Sequence, residues 1–135
     1  MAGAPPERDD LMASFDDIGT AGPRLRRILD GALAALPPER ADLARTAACE
    51  LVTNALVHAE SEADLYVTTE ANGDVRVQVV DFGPGVPVLV EAPAEAERGR
   101  GLMIVATTAD RWGVVVEDGW KAVWFEVAAQ VAAPS

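Results

Sequence analysis

Residues 71–74 read Ala-Asn-Gly-Asp. They stand between Leu65-Tyr-Val-Thr-Thr and a run in which Val75, Val77 and Val79 alternate with Arg76, Gln78 and Val80. Asn-Gly readily takes the positive φ angles of a tight hairpin loop, and the alternation has the period of a strand with one buried face. The chain must therefore turn back on itself here and pair its two strands antiparallel. Asp118-Gly119 repeats the signal between 112–117 and 120–127. Strands that pair as hairpins do not build a doubly wound parallel sheet, so that class is excluded.

Helical spacing fills much of the rest. Leu25, Ile28, Leu29, Ala32, Leu33 and Leu36 recur as one face of a helix. Pro23 suits a first helical position, which predicts a helix over 23–36 stopped by Pro37-Pro38. A second helix is expected from Pro38 to about Ala59. Its apolar line is Leu43, Ala47, Leu51, Ala55 and Ala59, widened by Ala48, Val52 and Leu56. Glu50, Asn54 and His58 are four apart and stack along the margin of that line. Leu11 to Phe15 reads as a short edge strand, 82–100 as a loop, and a third helix starts at Gly101. The order is helix, helix, two strands, loop, helix, two strands. It implies an α+β fold, with helices on one face of a mostly antiparallel sheet. One domain is expected over 11–127, between disordered tails at 1–10 and 128–135.

The 135 residues are 50% hydrophobic, enough for one buried core. A formal charge of −11 argues against a nucleic-acid partner or an anionic membrane surface. Cys49 is the only cysteine, so no internal disulfide forms; it reads as a small buried hydrophobe. No apolar signal-peptide core opens the chain, and no apolar run approaches a membrane span. A cytoplasmic location is the expectation.

Three stretches carry chemistry. In Glu50-Leu-Val-Thr-Asn54, the Asn54 amide oxygen is a ligand suited to Mg2+, which takes oxygen donors and shares its remaining positions with water and phosphate. Glu50, one turn earlier, can accept a proton from an attacking hydroxyl. In Asp81-Phe82-Gly83-Pro84-Gly85 the carboxylate closes a strand and can accept from the exocyclic amine of adenine, whereas guanine presents a carbonyl there. Gly83 and Gly85 leave backbone uncovered for a flat base or ribose. Arg98-Gly99-Arg100-Gly101-Leu102 precedes an apolar helix, where free N–H groups, glycine and two guanidinium groups suit a polyphosphate. Each stretch alone also reads as ordinary structure: helix residues, a turn, a capping loop. His58 reads as structural or capping, and Trp112, Trp120 and Trp124 as core.

Asp81-Phe82-Gly83 invites comparison with eukaryote-type protein kinases, but their strand lysine, His-Arg-Asp loop and length are missing. No P-loop motif occurs. In order and spacing, the three stretches resemble the GHKL superfamily of ATP-binding domains, shared by histidine kinases and gyrase. In size the chain is most similar to the stand-alone anti-sigma-factor serine/threonine kinases of bacteria. The resemblance covers residues 11–127 and implies a Bergerat-type two-layer α/β sandwich that binds ATP and Mg2+. It implies Glu50 as general base, Asn54 as Mg2+ ligand, Asp81 as the adenine acceptor, and residues 98–102 as the phosphate-wrapping glycine box. It also implies, as protein partners, an anti-sigma-factor antagonist, a sigma factor or both, and a homodimer. A non-catalytic ATP-binding module that gates a protein partner is the alternative. Gly119-Trp-Lys-Ala122-Val-Trp resembles the family's final hairpin, where a threonine is common near Ala122. Alanine cannot give that residue's polar support to the aspartate.

Overall fold

The computed structural model describes residues 11–83, 105–106 and 109–129. Residues 84–104 lie outside them, so the glycine box and most of the expected loop are not described. Five strands form one antiparallel sheet, β1 (Leu11–Phe15), β2 (Ala63–Thr69), β3 (Val75–Asp81), β4 (Arg111–Glu117) and β5 (Trp120–Val127), in the order β1-β2-β3-β5-β4. Two helices, α1 (Ile18–Ala32) and α2 (Pro38–Thr53), precede β2, and α2 continues as a π turn over Asn54–His58. The architecture is the expected α+β sandwich, with β1 an edge strand and both hairpins where Asn72-Gly73 and Asp118-Gly119 put them.

The core lies between the helices and one sheet face. Ala13, Phe15, Leu65, Val67, Val75, Val77, Val79, Val123, Phe125 and Val127 pack against Leu25, Leu29, Leu33, Ala44, Ala47, Ala48, Leu51 and Val52. The buried side of α2 is mostly alanine, which lets the helix lie close to the sheet. Ala47, Leu51 and Ala55 of the expected line are buried, with Ala48 and Val52 beside them, whereas Leu43 at its start is exposed and Ala44 is buried. Burying this apolar surface contributes about 25 cal/mol per Å².

The first helix begins earlier than expected. Asp17 caps it, its carboxylate accepting from the Gly19 N–H at 3.0 Å, and Pro23 falls inside the helix. A side-chain cap satisfies an otherwise orphaned donor, which outweighs the preference of proline for the first turn. The chain is already turning by Leu33, before Pro37. Arg45 joins the helices, bonded to Asp30 at 3.0 Å and Asp42 at 2.6 Å. Arg40 on α2 reaches the Ala128 carbonyl at 2.7 Å and Asp110 at 2.6 Å, fastening the helix to the far edge of the sheet.

The other sheet face is more enclosed than simple alternation implies. Gln78, Val80, Ala122 and Trp124 are buried there, and they pair in register as Gln78↔Trp124 and Val80↔Ala122. The Trp124 ring lies across Gly113, where an added Cβ would come within 2.7 Å of Nε1. Arg76 stacks over the ring at 4.5 Å from its centroid. Both polar atoms of the Gln78 amide and the Trp124 Nε1 are buried without a hydrogen-bond partner among the described residues.

An unpaired buried amide is costly, and an apolar group of similar shape removes the cost. Gln78→Met should therefore raise unfolding stability by about 1–2 kcal/mol, read as a shift in the urea midpoint. A loss of stability would show that the amide is hydrogen-bonded in solution.

Candidate functional site

Glu50 and Asn54 lie one turn apart, joined by the bond from the Asn54 N–H to the Glu50 carbonyl. Both are partly buried, and among the described residues neither side chain has a hydrogen-bond or ion-pair partner. Beyond Asn54 the ladder widens: the Ala59 N–H bonds to the Asn54 carbonyl, five residues back, at 3.0 Å. The helical spacing expected of Glu50, Asn54 and His58 holds for the first pair, and the backbone ladder widens after Asn54. Single π turns in helices often mark functional positions.

The helix then stops abruptly. Glu60 adopts a left-handed φ of 52°, and the Ser61 N–H closes back on the Ala55 carbonyl at 3.0 Å. This is a left-handed C-terminal cap, one residue wider than usual because of the π turn. Ser61 hooks the helix end to the sheet, its Oγ accepting from the Phe82 N–H at 2.7 Å and donating to the Glu62 carbonyl at 2.7 Å.

Gly83 sits directly on that helix end. A Cβ on Gly83 would lie 2.5 Å from the Ala59 carbonyl oxygen and 2.7 Å from the Ala59 Cβ. Its lack of a side chain thus serves close packing of the strand end on the helix. The turn after Asp81 and the helix bearing Asn54 are brought together here, at the level of backbone.

Asp81 closes β3. Its Oδ1 accepts from the Gly83 N–H at 3.1 Å and from the Lys121 Nζ at 2.5 Å. Lys121 also donates to the Gly83 carbonyl at 2.8 Å. Asp81 and Lys121 are register partners on β3 and β5, on the helix side of the sheet, while Ala122 pairs with Val80 on the opposite face. Among the described residues the polar support of Asp81 comes from Lys121, the residue before Ala122, and from the Gly83 N–H. Sequence reading passed over Lys121, although it is the only lysine in the chain and pairs with Asp81 across the sheet. Beside this pair opens a cleft of about 410 Å³, lined by Phe82, Gly83, Val116, Trp120 and Lys121 among others, within the range of small-molecule sites. Trp120 borders this cleft, whereas Trp124 is in the sheet interior.

Gly85, Arg98, Gly99, Arg100, Gly101 and Leu102 lie outside the described residues. Among the described residues no three His, Cys, Asp or Glu side chains gather as a metal cage. A Mg2+ ion here fits only as Asn54 supplies one oxygen and a bound phosphate supplies others. Cys49 is no rival nucleophile. Burial pushes its thiol up, against the opposing pull of Arg26 and Arg45, and a raised thiol holds less reactive thiolate. No helix among the described residues is long and apolar enough to cross a membrane.

The histidine kinase-like ATPase domain family matches residues 17–126, and the chain belongs to it. It is similar to an uncharacterized protein of Streptomyces coelicolor, 36% identical over 87 residues, covering 58% of this chain and 83% of that protein. Its fold is similar to the Erythrobacter litoralis EL346 blue-light activated histidine kinase, with a TM-score of 0.54 and 24% identity over 70% of this chain. The chain spans 32% of that kinase's length.

Two measurements check this geometry. Gly83→Ala should cost the nucleotide-free protein about 1–3 kcal/mol through overpacking on Ala59, measured by urea unfolding. Ala59→Gly should return part of it, whereas a glycine needed only for a ligand would leave the free protein's stability unchanged. Cys49 should react with iodoacetamide at pH 8 at least about tenfold slower in the folded protein than in urea.

Proposed function

We propose that this protein is an ATP-binding serine/threonine protein kinase of the anti-sigma-factor type, phosphorylating a small antagonist protein and regulating transcription by partner switching. One observation carries the reading. Among the described residues Glu50 and Asn54 have no side-chain hydrogen-bond or ion-pair partner, both are partly buried on one helix edge, and that helix ends against the turn following Asp81. Family membership supplies the nucleotide. The kinase step and the partner rest on the resemblance to stand-alone kinases and on the unclaimed carboxylate of Glu50.

In this reading Asp81 accepts from the adenine amine and fixes the base at the end of β3. Asn54 offers its amide oxygen to Mg2+, which when bound neutralises charge on the phosphates. Arg98, Gly99, Arg100, Gly101 and Leu102 wrap the polyphosphate, with Gly85 at the start of the same segment. Glu50 takes the proton from the acceptor serine or threonine hydroxyl as its oxygen attacks the terminal phosphorus, and ADP leaves.

The test is phosphate transfer from Mg-ATP to the cognate antagonist. Glu50→Ala should reduce transfer by about 100-fold or more while keeping ATP binding, and Asp81→Ala should lose binding measured by calorimetry. Regulation of the partner that survives Glu50→Ala in cells would favour a non-catalytic ATP-dependent gate.

A further inference from the structure

We infer that Lys121 is the positioning residue for base recognition: it locks one oxygen of Asp81 so that only the other is presented to the purine. This rests on the ATP reading above and extends it to a residue with no role so far. Oδ1 of Asp81 has two acceptor directions, and both are filled, by the Gly83 N–H at 3.1 Å and by Lys121 Nζ at 2.5 Å. Among the described residues no donor meets Oδ2. An arriving amine must therefore bond to Oδ2.

The same ammonium holds the Gly83 carbonyl at 2.8 Å. It thereby fixes both ends of the Asp81–Gly83 turn, the carboxylate and the backbone that rests on Ala59. The Lys121 and Asp81 side chains are only 9% and 16% exposed. Such enclosed ion pairs pay a large desolvation cost and add little net stability, so folding alone does not account for this one. The compact ammonium of lysine faces the carboxylate and the Gly83 carbonyl at once. The ten other Lys or Arg positions of the chain are all arginine.

The experiment compares Mg-ATP with Mg-ITP, in which a carbonyl replaces the exocyclic amine, by calorimetry on the full chain. Wild type should prefer ATP. In Lys121→Met, ATP affinity should fall about tenfold or more, while ITP affinity stays within about twofold, so the preference collapses. Lys121→Gln serves the same comparison if the methionine variant melts below the assay temperature. Restoration comes from Lys121→Cys in a Cys49→Ala background, aminoethylated in urea and refolded, which rebuilds a lysine-like ammonium and should recover the ATP preference. A parallel loss for both nucleotides, an unchanged ratio, or no recovery on aminoethylation overturns the inference. Wild type that binds no Mg-ATP overturns the nucleotide reading itself, and the inference with it.

Discussion

The contact of Gly83 on Ala59 sets the relation between the two halves of the candidate site. On one side stands a helix carrying Glu50 and Asn54, on the other a strand ending in Asp81. The two could slide against each other if only apolar side chains lay between them. Instead the backbone of residues 82 and 83 is fastened to the helix end, by the Phe82 N–H on Ser61 Oγ and by the absence of a Cβ at Gly83. The π turn and the left-handed Glu60 bring the chain from the helix into β2 within five residues of His58. A regular α-helical exit would have placed Ser61 and Ala59 at different angles to the strand.

Sheet register then decides what stands beside Asp81. Side chains alternate faces with period two, so a one-residue shift in the pairing partner changes face altogether. Lys121 shares the helix-side face with Asp81, whereas Ala122 pairs with Val80 behind it. A local comparison of the final hairpin draws attention to Ala122 and its missing hydroxyl. The pairing draws it to Lys121, whose ammonium reaches the same carboxylate from the adjacent strand.

Much of the fold was legible because it rests on local signals: two tight turns, a valine alternation, and apolar residues at helical spacing. The start of α1 was not, since proline punctuates strongly in sequence while Asp17 acts through a hydrogen bond that only a folded turn displays. The face of α2 was read correctly through Ala47, Leu51 and Ala55, but its first member was not: alanine carries a weak hydrophobic signal, and Leu43 outweighed the buried Ala44. In the site, Glu50, Asn54 and Asp81 were visible as types in a pattern. The role of Gly83 was half visible: its need for bare backbone is real, but the neighbour is Ala59, 24 positions earlier in the chain. Lys121 is 40 positions from Asp81, and such a pairing becomes visible only when strand order and register are known.

The two carboxylates differ in how much of their hydrogen-bonding capacity the protein has already claimed. Asp81 has one oxygen filled by fixed donors, so it is held as a directional acceptor. Glu50 has no such partners among the described residues, and both its oxygens stay available to a group that arrives with the substrate. A side chain meant to recognise gains from being held, because orientation sets specificity. One meant to take a proton must meet a hydroxyl that is present only in the complex. The sheet, with its fixed register, supplies the first kind of support, and the partly buried margin of a helix supplies the second. Under the proposed function, the division between strand and helix is also a division between reading the nucleotide and acting on it.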